Sequence, residues 1–170
     1  MPIPQVAIIG RANVGKSTLF NRIIKKRAAI VNNTPGVTRD RMFSRAEWSG
    51  KPFMVIDTGG IDLAAGNEIE LQVKEQADIA VAGADYILFV GDGRQGMTPQ
   101  DQEVIERLRS SGKPLYVLVN KVDDPKHESL IHDFMRMGVT ETFAISAEHG
   151  SGVETVLDHL AGRFPEEGEA

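Results

Sequence analysis

Gly10, Gly15, Lys16 and Ser17 stand in the stretch GRANVGKS, residues 10–17, at the spacing G-x-x-x-x-G-K-S. That spacing suits phosphate. Glycines let the backbone curl until successive N–H groups point inward at phosphate oxygens, and a following helix adds the positive end of its dipole. Lys16 supplies a point charge for β- and γ-phosphates, and Ser17 a hydroxyl for Mg²⁺, a hard cation that takes oxygen ligands and keeps several waters. Asn13, Val14, Gly15, Lys16, Ser17 and Thr18 are the expected phosphate contacts, with Gly10 opening the loop. A chance glycine turn is the competing reading, and context weighs against it. QVAII at residues 5–9 is an apolar run fit for a buried strand, and Leu19, Phe20, Ile23 and Ile24 share one face of a helix over 17–27.

Three further segments carry chemistry where apolar runs end. After Ile56 comes DTGG, in which Asp57 can hold Mg²⁺ through a water and the Gly60 N–H can face a γ-phosphate; alone, DTGG is also an ordinary turn. After Val119 comes NKVD. The Asp123 carboxylate can accept from both N1–H and the exocyclic amine of guanine, whereas adenine offers an acceptor at N1 and leaves the site unpaired, a mismatch worth about 10⁴ in selectivity. Asn120 can brace this loop and Lys121 can lay its stem along the base, although NKVD by itself is also a common surface turn. After Ile145 comes Ser146-Ala147-Glu148, whose backbone N–H near Ala147 can reach a guanine O6.

The elements that must position these residues are legible as alternation. Strand-like runs lie at 5–9, 41–48, 53–57, 86–91 and 115–120, with a weaker one at 142–145. Helical patterns fill 17–27, 68–82, 99–110, 126–137 and 152–161. Ser49-Gly50-Lys51 reads as the turn of a hairpin, so the 41–48 strand is the antiparallel exception at the edge of a mostly parallel sheet. The expected fold is therefore α/β, a six-stranded sheet with one antiparallel strand and about five helices on both faces. In such sheets ligands bind outside the carboxyl ends of the strands, where the four segments would sit.

In order and content, GRANVGKSTLFNR, TPGVTRDR at 34–41, DTGGID at 57–62, DGRQGMTPQD at 92–101, NKVD and SAEHGSG at 146–152 resemble the G domain of P-loop GTPases, and within them the bacterial EngA family, also called Der. The resemblance covers residues 3 to 163. It implies GTP/GDP as ligand with Mg²⁺ as cofactor, cleavage of GTP to GDP and phosphate, and, for the full-length protein, a ribosome or rRNA partner in large-subunit assembly. It also implies that Thr38 is the switch threonine closing on Mg²⁺ and the γ-phosphate, with Thr34 as competitor. Lys16, Thr38, Gly60 and Asn13 become the catalytic candidates. Ile61 takes the place where Ras-like enzymes carry the glutamine that orients the attacking water, and an isoleucine cannot polarise water. Asn13 is the implied substitute, through a K⁺ ion held against the triphosphate. Two rival readings stay open: a GTP-dependent binding switch for ribosome or RNA whose hydrolysis is only a timer, and an ATP-using P-loop kinase, against which NKVD speaks.

Bulk properties bound the rest. The 170 residues suit one domain, expected over 1–163, with 164–170 (FPEEGEA) as a linker or frayed tail. Net charge is −5, which argues against a general polyanion binder, yet residues 1–56 hold ten Lys and Arg against two acids, an excess that suits nucleotide phosphates and leaves an RNA-facing surface open. The chain has no cysteine, so disulfides, thiol nucleophiles and zinc-thiolate sites are excluded. No apolar run approaches about 18 residues, and the N-terminus lacks a signal segment, so neither export nor a membrane span is expected; the domain is expected in the cytoplasm and, in isolation, as a monomer. His127, His132, His149 and His159 lack metal-ligand spacing, and Trp48 and the methionines read as packing residues.

Overall fold

Unbroken apolar runs such as YILFVGD and LYVLVN can be satisfied only where both faces of a strand are covered, and that requirement builds the molecule. The computed structural model describes residues 3–11, 14–25, 43–58, 69–121 and 128–164. Its strands are β1 (Gln5–Ile9), β2 (Phe43–Trp48), β3 (Lys51–Asp57), β4 (Tyr86–Asp92), β5 (Leu115–Asn120) and β6 (Glu141–Ala144). The helices are α1 (Lys16–Lys25), α2 (Ile69–Gly83), α3 (Pro99–Arg109), α4 (Glu128–Met135) and α5 (Val153–Arg163). One six-stranded sheet runs β2-β3-β1-β4-β5-β6, parallel except for β2 against β3. This is the expected architecture.

The period of two in a strand divides each central strand between two cores. Val6, Ile8, Leu88, Val90, Tyr116 and Leu118 join Leu19, Phe20 and Ile23 of α1 and Val156, Leu157 and Leu160 of α5. Ala7, Ile9, Ile87, Phe89, Val117 and Val119 join Ala77 and Ala80 of α2, Val104, Ile105 and Leu108 of α3 and Phe134 of α4. Ser49 and Gly50, at φ of 54° and 76°, make the two-residue hairpin turn whose left-handed residues match the strand twist.

Boundaries differ from the sequence reading where a local signal is overruled by packing. Helix α1 starts at Lys16 inside the loop motif, and α5 runs to Arg163, two residues beyond Ala161. It is followed by Phe164, whose ring lies 5.2 Å from those of both Phe53 and Tyr86. Phe164, first residue of the expected tail, is thus buried; 165–170 lie outside the described residues. Among the described residues no helix is long and apolar enough to cross a membrane.

Candidate nucleotide site

The parallel strands β1, β3, β4 and β5 all end on one edge of the sheet, with Ile8 beside Asp57 and Asp92 beside Asn120. At the end of β1 the chain turns at Gly10, where a Cβ would stand 2.6 Å from the Val90 carbonyl oxygen, so no side chain fits. Gly15 has a φ of +104°, and a Cβ there would lie 2.1 Å from Asn120 Nδ2. The two glycines are needed for different reasons: one passes under β4, the other admits the Asn120 amide.

Lys16 opens α1 and folds back over the loop, its Nζ donating to the Gly10 carbonyl at 2.5 Å and to Gln76 Oε1 at 3.2 Å. Burial pushes its pKa below the usual lysine value, and the nearby Asp57 carboxylate pulls it back up. Asp57 is itself buried at the end of β3. Ser17 and Thr18 follow on the exposed first turn of α1, where helix N–H groups lack internal partners. Ser17 hydroxyl and Asp57 carboxylate are the hard oxygen donors that Mg²⁺ prefers, so the described residues fit that ion.

On the other side of the loop, Asn120 is 3 % exposed. Its Nδ2 donates to the Val14 carbonyl at 2.7 Å and its Oδ1 accepts the Ala147 N–H at 2.8 Å. One amide therefore ties the phosphate loop to the 146–148 loop. The Ala147 N–H that the sequence reading aims at a guanine O6 is given to Asn120, so reaching O6 would mean sharing that hydrogen. Lys121 adopts a left-handed φ of 67°, and its Nζ lies 3.2 Å from Asp92 Oδ2. Burial raises the Asp92 pKa, but the N–H groups of Arg94 and Gln95 and the Lys121 ammonium outweigh it and hold the carboxyl below its usual range. A cleft of about 300 Å³ opens between Gly15, Thr18, Arg94, Asn120, Lys121, Ser146 and Glu148.

Gly10, Val14, Gly15, Lys16, Ser17, Thr18, Asp57, Asn120, Lys121, Ser146, Ala147 and Glu148 thus converge on one edge. Asn13, Thr38, Gly60 and Asp123, with Thr34 and Ile61, lie outside the described residues. Sequence reasoning missed two supports. Arg22 of α1 holds the 146–148 loop by donating Nε to the Ala147 carbonyl (2.6 Å) and Nη2 to the Glu148 carbonyl (2.7 Å). Gln76 of α2 meets Lys16, Gly10 and Thr58. Gln76 belongs to no motif, and Arg22, although it closes the stretch GRANVGKSTLFNR, offered only its positive charge as a hint of a partner.

A family profile described as 50S ribosome-binding GTPase matches residues 5–121. The chain is 50 % identical over 169 residues to GTPase Der of Geobacillus kaustophilus, covering 99 % of this chain and 38 % of that protein. It is 48 % identical over 169 residues to GTPase Der of Listeria welshimeri, with the same coverage. The chain therefore spans well under half the length of these curated relatives. Among solved structures, an Era variant from Aquifex aeolicus bound to GDP and AlF4⁻ superposes with a TM-score of 0.73 at 28 % identity, over 99 % of this chain and 59 % of that one. Era in complex with MgGDPNP and a segment of 16S ribosomal RNA gives 0.72 at 27 % identity, over 100 % of this chain and 59 % of that one.

Proposed function

The chain belongs to the family of 50S ribosome-binding GTPases, and from that premise we propose that residues 1–163 are a monomeric, cytoplasmic G domain that binds GTP with Mg²⁺ and hydrolyses it. The observation that carries this reading is the Asn120 amide, which couples Val14 of a phosphate loop to Ala147 of a base-side loop across the sheet edge. A ligand with a triphosphate at one end and a purine at the other fits that span.

In the reaction, water oxygen bonds to the γ-phosphorus, the bond to the β–γ bridging oxygen breaks, and the water proton ends on the released phosphate. Lys16, buried and close to the loop, stabilises charge on the β- and γ-oxygens more than an exposed lysine could. Gly60 offers its N–H to the γ-phosphate. Ser17, Thr38 and, through water, Asp57 would hold Mg²⁺, which when bound neutralises charge on both phosphates. Asn120, Lys121, Asp123 and the 146–148 backbone hold guanine. Asn13 is assigned to hold a K⁺ ion, which would supply the positive charge that an arginine finger supplies elsewhere, where it is worth about 10³ to 10⁵ in rate.

Two measurements test the assignment. Asp123→Asn removes the acceptor for the guanine N1–H and amine, so preference shifts toward xanthine nucleotides; unchanged GTP preference overturns the base reading. Turnover in KCl exceeds turnover in NaCl at equal ionic strength, and Asn13→Ala erases the difference; equal rates in the two salts remove the K⁺ role.

In the full-length protein we assign the domain to ribosome assembly, with the ribosome or rRNA as partner. Ile61 in place of a water-orienting glutamine leaves hydrolysis to other groups, and the alternative reading is a GTP-dependent binding switch whose hydrolysis is only a timer. Turnover of the full-length protein with and without ribosomes separates timer from constitutive enzyme.

A further inference from the structure

Gln76 lies on α2, outside every motif, yet its buried amide joins three residues of two of them, Gly10 and Lys16 of the phosphate loop and Thr58 of DTGG. The side chain belongs to a residue 4 % exposed. Its Oε1 lies 3.3 Å from the Gly10 N, 3.2 Å from Lys16 Nζ and 3.0 Å from Thr58 Oγ1. A backbone N–H and an ammonium can only donate, so the amide must present its oxygen to them; the flipped amide would set N–H groups against N–H groups.

We propose that Gln76 is a positioning residue for Lys16, a neutral acceptor that aims the ammonium at the triphosphate without cancelling its charge. This rests on the reading of the site as a GTP site. An ammonium has three N–H donors. Two are directed at Gly10 O and Gln76 Oε1, which leaves the third for a phosphate oxygen. Both anchors are uncharged, and that matters. A carboxylate at the same place would form an ion pair with Lys16 and compete with the phosphates for it, whereas the amide oxygen carries no net negative charge. A thioether of similar length would leave the ammonium with one anchor. The single hydrogen of the Thr58 hydroxyl is shared between the Ile8 carbonyl at 2.8 Å and Gln76 Oε1 at 3.0 Å, so Thr58 is a secondary support for the amide from the DTGG side. Helix α2 is thereby bonded to the lysine that meets the β- and γ-phosphates.

The test is a titration of the 170-residue chain with a fluorescent, non-hydrolysable GTP analogue. Gln76→Glu weakens binding by about tenfold or more and Gln76→Met by about threefold. In a Lys16→Ala background, Gln76→Glu changes the Kd by less than about twofold, because the cation it would capture is gone. Either variant's affinity staying within about twofold of wild type overturns the proposal. So does an equal loss from Gln76→Glu in the Lys16→Ala background, which would mark a general packing defect. Should Gln76→Glu fail to give a cooperative melt, the same cycle is run with Gln76→Met. Wild-type chain that binds GTP no better than ATP removes the parent reading; wild-type chain that prefers GTP but is insensitive at Gln76 removes this inference alone.

Discussion

Asn120 concentrates two connections in one side chain, and its removal separates them. Truncation to alanine strands the Val14 carbonyl and the Ala147 N–H in a buried place, at about 1–3 kcal/mol for each unsatisfied group. Asn120→Ala therefore lowers unfolding free energy in urea by at least about 2 kcal/mol and weakens GDP binding, whereas loss of affinity with unchanged stability would mean the amide acts on nucleotide alone. Asp92 adds a pH dependence. Its folded pKa is depressed, so the carboxylate contributes stability above the unfolded value of about 3.9 and loses it as pH falls through the lower folded value. The melting-temperature gap between wild type and Asp92→Asn is accordingly widest near neutrality and narrows below about pH 4; a gap constant across that range would show that hydrogen bonding, not charge, is the contribution. At this scale legibility followed locality. NKVD announces Asn120 because the motif is contiguous, whereas Gln76 meets Lys16 across 60 residues and Arg22 meets Ala147 across 125, and no spacing in sequence encodes such a contact.

At the scale of elements, periodicity gave away whatever is buried on a whole face. Strands β1, β4 and β5 read as apolar runs because both sides are covered, and β6 read weakly because its four residues lie at the sheet edge and none is buried. Helix ends were blurred where no side-chain cap marks them, as at Gly152 before α5, which makes no side-chain cap bond. The start of α3 is an exception. Thr98 and Asp101 form a capping box, each side chain accepting the other's backbone N–H at 3.1 Å. The same Asp101 accepts from Arg11 Nε in the phosphate loop at 3.0 Å, so the cap doubles as an anchor for that loop. Thr98→Ala costs about 1 kcal/mol, seen as a fall of about 2–4 °C in Tm. Asp101→Ala costs about 3 kcal/mol, because it leaves the largely buried Arg11 guanidinium without its carboxylate. Equal losses for the two variants would mean that only the cap counts.

For the molecule as a whole, the site belongs to no single element. Its groups come from the ends of β1, β3 and β5, the first turn of α1 and the 146–148 loop, so one ligand would bridge most of the sheet edge. The basic excess within residues 1–56 favours the phosphate end of such a ligand. Anything bound only by the folded state stabilises it by mass action, about 2.7 kcal/mol at a hundred times Kd. For a domain of this size about 2–4 °C accompanies each kcal/mol, so GDP with Mg²⁺ at that excess raises Tm by about 5–10 °C. ADP gives no comparable rise, because the discrimination lies at the base end and both nucleotides carry the same phosphates. The increment grows with the logarithm of GDP concentration once the site is saturated, which separates specific binding from nonspecific ionic stabilisation. An equal rise with ADP would reduce the site to a diphosphate cradle and detach NKVD from it. A rise with GDP that disappears in Asn120→Ala would instead show that the bridge between phosphate loop and base loop is what the ligand stabilises.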